Sequence, residues 1–442
     1  MSASLVLILA IVIVSAAIMS GVPLPLVFAG SIVWIVFAQG LNPIMIAQIG
    51  YNSITAFILL AIPLFIIGGV VMSNSRIGPY IVEWFECFFG RVKASMCIVS
   101  TCSFALFSAV SGSGMAILSC LGPLLYPSMK DRGYPPNVVA AMMCCAAPLG
   151  LLFPPSITQI LFAWSANLSV LACFLAIIIP GFICAILITI VSMVLVRRSK
   201  HELTLTPKRE FKDWGIHTLK TTGKAFPGLL MPVIVLGGIY SGIMTVTESA
   251  SVAAVYAILV ALFIYRDLTF KTLTKVLSDA GVTAGIIMFG IFFIIPFSRM
   301  LLQEGLPDMI LDSLLSVSDN KFVVLAMINV FMILIAMVMD DVCATLLVGV
   351  VLTPIMRGIA VSPYQFAAIV GVNLGFGLIT PPTAPFLYFT SRITGVPVAD
   401  MLKPVFFIIM FAYIPALILT TYIPQISLWI PQMVMGDRLT LF

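Results

Sequence analysis

Apolar residues run through this chain in long blocks, and polar positions are confined to short turns, one central stretch and four interruptions marked by Gly, Ser, Pro or Asp. Blocks of about 20 residues match a helix that spans hydrocarbon, whereas a lipid-exposed strand alternates every second residue, so the pattern predicts an all-α polytopic membrane protein. Spans are expected over 5–20, 22–38, 53–72, 138–164 (broken) and 169–196, and again over 226–243, 249–265, 280–302, 364–392 (broken) and 404–422. Two shorter pieces, 79–89 and 307–315, are too short to span and are expected at the interface. Two further limb pairs, 94–129 and 322–356, fold back as hairpins, with tips near 108–116 and 337–345. The broken spans are interrupted at 148–156 and 375–383.

The second set of elements repeats the first. Pro154-Pro155-Ser156 and Pro381-Pro382-Thr383 lie 227 positions apart (381 − 154), and the same ungapped offset pairs Gly150 with Gly377, Pro127 with Pro354, Pro136 with Pro363 and Gly122 with Gly349. A duplication follows, with a first repeat over 1–196, a linker over 197–224, a second repeat over 225–424 and a tail over 425–442. If each hairpin is re-entrant and each broken helix crosses once, a repeat crosses five times. An odd number turns its copy upside down, giving inverted-topology repeats.

Composition and charge sharpen this picture. With 61% apolar and 9% charged residues, the 442-residue chain cannot hide its apolar surface as a soluble globule. The linker carries Arg197, Arg198, Lys200, Lys208, Arg209, Lys212, Lys220 and Lys224, which predicts a cytoplasmic position, and the parity then puts eighteen of the 22 Lys and Arg on that side with both termini outside. Nothing in the pattern suggests nucleic acid. The nine Cys are scattered through apolar segments without a CxxC, and the two His, His201 and His217, both fall in the linker, so a metal site of that type is not expected. The first apolar block lacks a basic leader and is expected to stay as a span.

Backbone unwound at membrane depth needs partners that hydrocarbon does not supply. In the first repeat Ser108, Ser111 and Ser113 offer hydroxyls, Gly112 and Gly114 admit close backbone approach, and Gly150, Pro154, Pro155 and Ser156 form the facing break. In the second, Asp340, Asp341 and Thr345 face Asn373, Gly375, Gly377, Thr380 and Thr383. Oxygen-rich sets with little fixed charge suit a hard monovalent cation. The alternative is that Gly and Pro only kink the helices while Ser and Thr bond to their own backbone, and four breaks at one offset weigh against it. Asp340 and Asp341 near the midplane cost about 2.5 kcal/mol or more each, so an ion, a proton or a neighbouring hydroxyl or amide is expected as partner. Thr245 and Glu248 have the spacing of a capping box. Arg299 is placed to snorkel, to pair with Glu304 or to attract an anion.

The runs AVSGSGMA (109–116), KDRGYPPNVVAA (130–141), GLLFPPSI (150–157), TVTESASVAA (245–254) and GLITPPTAPFLY (377–388) together resemble the large membrane subunit of tripartite ATP-independent periplasmic (TRAP) transporters over nearly the whole chain. One local departure is Gly114, where that family often carries alanine after the SGS triplet. The resemblance implies an elevator-type carrier in the bacterial inner membrane, importing an organic acid such as a dicarboxylate, sialic acid or another sugar acid with Na+ as coupling ion and no organic cofactor. It implies two partners, a small four-helix membrane subunit expected here as a separate chain and a soluble periplasmic binding protein. It also implies sodium sites at the tips and breaks, here Ser111, Gly112, Ser113, Gly150, Pro154, Asp340, Asp341, Thr345, Asn373, Gly377 and Thr380. Ser108, Ser156 and Thr383 are then the residues expected towards substrate. A single-chain sodium- or proton-coupled carrier of the same fold is the rival reading. An intramembrane enzyme is not, because adjacent Asp340 and Asp341 cannot share one helical face.

Overall fold

A computed structural model describes residues 9–10, 12–14, 16–18, 20–90, 94–199, 203 and 211–436. Arg91, Lys93, Lys200, His201, Lys208, Arg209 and Arg438 lie outside the described residues. Among the described residues the chain is helical throughout, with six helices long and apolar enough to cross a membrane, or seven when one bent pair is counted as a span.

The first repeat holds α1 (Leu24–Gln39), α2 (Pro43–Ile54), α3 (Phe57–Ser73), the short α4 (Ile77–Phe89), and the hairpin of α5 (Ser95–Ser111) and α6 (Gly114–Asp131). The broken span is α7 (Pro136–Ala146), a tight turn Ala147–Leu151 and α8 (Ile157–Ser165), and α9 (Val170–Arg198) closes the repeat. The second repeat holds α10 (Phe211–Tyr240), α11 (Val246–Ile264), α12 (Phe270–Gln303), α13 (Leu306–Val317), a hairpin of α14 (Lys321–Ala336) and α15 (Asp341–Gly358), the broken α16 (Pro363–Gly377) and α17 (Pro385–Thr394), and α18 (Val398–Tyr422). A last helix, α19 (Pro424–Met435), packs on α9 and α16. Shifting α6 by the sequence offset lands on the bounds of α15, and the same shift carries α5, α7, α8 and α9 onto α14, α16, α17 and α18 to within a few residues.

Three sequence expectations change. The span expected over 53–72 starts at Pro43 and bends by 56° between α2 and α3. Asn42 caps α2 by accepting from the Ile44 amide at 2.9 Å, while the Ser53 and Thr55 hydroxyls donate back to the carbonyls of Ile49 and Tyr51 and close the helix there. The equivalent positions of the second repeat are Ala280 and Val282, and α12 runs straight through them. The end of the 197–224 linker is helical from Phe211, and the expected tail includes α19, whose Ser427 and Pro431 are buried.

Two polar clasps join the repeats at equivalent corners. Asp267, after α11, accepts from the Arg76 amide at 2.8 Å and pairs with its guanidinium at 3.1 Å; Glu304, after α12, accepts from Gln39 Nε2 at 3.1 Å. Moving Gln39 and Arg76 by the offset brings them within one position of Asp267 and Glu304. Glu304 therefore pairs with Gln39 rather than with Arg299, which is exposed. Because the Arg76 side chain is 68% exposed while that of Asp267 is 8% exposed, the two halves of the first clasp differ in weight. Arg76→Ala is expected to cost within about 0.5 kcal/mol, and Asp267→Ala, which leaves the residue-76 amide just ahead of α4 unpaired, about 1–2 kcal/mol, read as the difference in thermal unfolding of the purified chain.

Candidate functional site at the paired helix breaks

Each hairpin tip docks on the break of its own repeat. In the first, Gly112 closes α5 in the left-handed region at φ 63° and its carbonyl accepts from the Ile157 amide at 3.4 Å. Ser108, fully buried, donates to the Leu149 carbonyl at 3.0 Å with the Phe153 carbonyl at 3.4 Å, so a hairpin side chain satisfies carbonyls freed by the break. Ser111 Oγ donates to the Ser113 carbonyl at 3.3 Å, and buried Ser156 donates to Leu151 O at 3.1 Å. A β-carbon on Gly150 would sit 2.5 Å from the Gly114 amide nitrogen and 2.9 Å from the Ser113 carbonyl carbon, which is why this position must be glycine. Ser111, Gly112, Ser113 and Gly150 are thus brought into one cluster, beside the Pro154-Pro155 bond, which is cis.

The second repeat repeats the docking with different chemistry. The Thr383 amide and hydroxyl both donate to the Met337 carbonyl, at 3.3 Å and 2.5 Å, and a β-carbon on Gly377 would collide with Ala336. Pro381-Pro382 is cis as well. Asp340 takes the place of Ser113 and caps α15, accepting from the Cys343 amide at 2.7 Å, so one acid has the neighbouring amide as its partner. Thr345 donates to the Asp341 carbonyl and Thr380 to Phe376 O at 2.8 Å. Asn373 goes elsewhere: its Nδ2 donates to Asn329 Oδ1 on α14 at 2.9 Å, about two turns before the tip. The cleft of about 280 Å³ beside this tip, lined by Phe297, Leu301, Phe331, Val338 and Met339 among others, is apolar and offers a carboxylate no partner.

That contact opens a buried polar chain absent from the sequence reading. Asn329 Nδ2 donates to Thr421 Oγ1 at 3.0 Å, and Gln365 Nε2 donates to the Thr421 carbonyl at 2.9 Å, which ties α14, α16 and α18 together. Asn373 Oδ1, fully buried, has no protein partner. Gln159 plays a similar part across the repeats, donating to Ala367 O at 3.1 Å. The only sequence signal for Asn329 was a single amide inside an apolar run. The capping box stands as expected: Thr245 Oγ1 accepts from the Glu248 amide at 3.2 Å and a Glu248 oxygen accepts from the Thr245 amide at 2.7 Å.

The two docked pairs form one body. A β-carbon on Gly375 would lie 3.1 Å from Pro148, its own equivalent by the offset, so a pseudo-two-fold axis passes between the two breaks. Reciprocal packing surrounds it: Gly122 of α6 faces Ile393 at the end of α17, and Gly349 of α15 faces Ser165 at the end of α8. Since the breaks interrupt spanning helices, tips that dock on them end inside the membrane, and both hairpins are re-entrant.

Two inverted repeats, each with a re-entrant hairpin docked on a broken spanning helix, define a polytopic carrier of the inverted-repeat class. A solved structure of the Alcanivorax borkumensis YdaH transporter shares the fold, with a TM-score of 0.60 at 15% identity over 85% of this chain and 87% of that one. The family of the tripartite ATP-independent periplasmic transporter, DctM component, matches residues 7–426, and the chain belongs to that family. It is 32% identical over 85% of its length, and 86% of the relative's, to the C4-dicarboxylate TRAP transporter large permease protein DctM of Pseudomonas aeruginosa. It is 30% identical over 88% of its length, and 90% of the relative's, to the sialic acid TRAP transporter large permease protein SiaM of Vibrio cholerae. The chain is accordingly a multi-pass transporter component and not an enzyme.

Proposed function

We propose that this chain carries an organic acid inward, driven by sodium, after a soluble periplasmic protein delivers the acid, and that a small four-helix membrane subunit completes the assembly. The observation that carries this reading is the docking of each hairpin tip on its break, with backbone unwound at membrane depth in both repeats. Hydroxyls and carbonyls gather there at Ser111, Gly112, Ser113, Gly150 and Pro154 in one repeat, and at Asp340, Asp341, Thr345, Gly377 and Thr380 in the other. These are the proposed surroundings of sodium, with Asn373 Oδ1 as a further oxygen. Helices α6 and α15 begin at the hairpin tips and α8 and α17 at the breaks, and their positive dipole ends suit a carboxylate. Thr383, half-buried, is the hydroxyl most open to substrate, whereas Ser108 and Ser156 hold the first break closed from buried positions. The hairpins and broken helices, packed as one body, move against α1 to α3 and α10 to α12. The C4-dicarboxylate and sialic acid relatives make carboxylates the substrate class to test first. The membrane is the bacterial inner one, with the basic linker cytoplasmic and both termini outside.

Uptake of labelled succinate and sialic acid into proteoliposomes, with and without the two partners and under an imposed sodium gradient, tests the reading. Uptake that requires sodium and the binding protein is the expected result. Uptake without the binding protein points to a single-chain carrier, and uptake indifferent to sodium removes the ion assignment.

A further inference from the structure

A cluster of reactive side chains lies apart from the breaks, where the start of α10 crosses α4. Cys87 Sγ stands 3.3 Å from His217 Nδ1, and His217 Nε2 stands 3.6 Å from Glu83 Oε1. The carboxylate only accepts, so it favours the tautomer with hydrogen on Nε2, which leaves the Nδ1 lone pair facing the thiol. All three residues are partly open to solvent, while six of the nine cysteines are buried and only Cys102 and Cys120 share the intermediate exposure of Cys87. Two indole hydrogen bonds set the pair: Trp214 Nε1 donates to the Cys87 carbonyl at 2.8 Å and Trp84 Nε1 to Thr222 Oγ1 at 3.0 Å. A thiol, a base and an orienting carboxylate on two helices held in register are the parts that activate a cysteine nucleophile.

We propose that Cys87 is a thiol-modification site that takes a low-molecular-weight disulfide, with His217 as its base and Glu83 as the group that positions His217. The Cys87 proton passes to His217 Nδ1, and the imidazolium formed is stabilised by Glu83. The thiolate attacks one sulfur of the disulfide; a new S–S bond forms to Cys87 as the original S–S bond breaks. The departing thiolate takes up the proton from His217, so Cys87 is oxidised and the departing half is reduced. The adduct occupies the space between Cys87 and His217 and loosens α10 from α4. The α4 helix also packs against hairpin limb α5, so the modified chain carries an altered contact next to the proposed moving body.

The test is the rate of adduct formation with glutathione disulfide on the full chain in native membranes, resolved by cysteine with mass spectrometry. Cys87 is expected to react roughly tenfold or more faster than Cys102 and Cys120, and His217→Gln to remove that advantage while Glu83→Gln reduces it. A Cys87 rate no greater than those of Cys102 and Cys120 in the unmodified chain overturns the proposal without any variant. A Cys87 advantage that survives His217→Gln in a chain with unchanged thermal unfolding also overturns it, since exposure alone then explains the rate.

Discussion

Gly150→Ala is expected to cost about 1–3 kcal/mol of stability and to abolish most transport, the range typical of overpacking a filled interior. The added methyl would meet the Gly114 nitrogen at 2.5 Å, the Gly114 α-carbon at 2.8 Å and the Ser113 carbonyl carbon at 2.9 Å. All three are backbone atoms of the hairpin tip, so no side chain can rotate out of the way. The tip must lift off the break, and the Ser108 bond to Leu149 and the Ile157 bond to Gly112 go with it. Gly377→Ala should act alike against Ala336 in the second repeat. Gly215→Ala is the control: it sits in α10 with nothing within 4 Å, and should be neutral or stabilising by up to about 1 kcal/mol. Thermal unfolding in detergent together with uptake in proteoliposomes separates these cases. A Gly150→Ala chain as stable and active as the control would mean that tip and break are not in contact in the working protein.

Asn329→Leu is expected to have the second large effect, although Asn329 touches neither tip. The leucine removes the donor to Thr421 Oγ1 and the side-chain acceptor for Asn373 Nδ2, leaving that buried amide only its longer 3.3 Å bond to the main-chain carbonyl of residue 329. The desolvation of such a group costs about 1–3 kcal/mol. If Asn373 Oδ1 faces sodium, a loose amide also weakens the ion, and a loss of about 1.4 kcal/mol would raise the sodium concentration for half-maximal uptake roughly tenfold. The measurement is the sodium dependence of uptake beside thermal unfolding. Lower stability with unchanged sodium dependence would confine Asn329 to holding the helices together and take Asn373 out of the proposed ion surroundings.

Periodicity, span length and the ungapped offset were enough to read the helical class, the duplication, both hairpins and both breaks, because each depends on residues adjacent in sequence. Gly112, Gly150, Gly377 and the paired Pro-Pro steps announce unwound backbone wherever they occur in an apolar run. Capping by Thr245 and Glu248 was legible for the same reason, being complete within four residues. Where the sequence reading fell short, the deciding contact was either a short-range bond that hydropathy does not register or a distant one. Ser53 and Thr55 ended α2 early through hydroxyl bonds that their hydropathy conceals, and Glu304 chose Gln39 over the nearer Arg299.

The chain by itself therefore determined what lies in the membrane and where it must unwind, since hydrocarbon imposes one rule on every backbone amide and carbonyl regardless of fold. Tertiary structure alone decided what each freed group meets. It set Ser108 against the Leu149 carbonyl of the break, sent Asn373 to Asn329, and brought Pro148 against its equivalent Gly375. Each of these joins residues held close by the crossing of helices far apart in sequence, a geometry on which local pattern is silent.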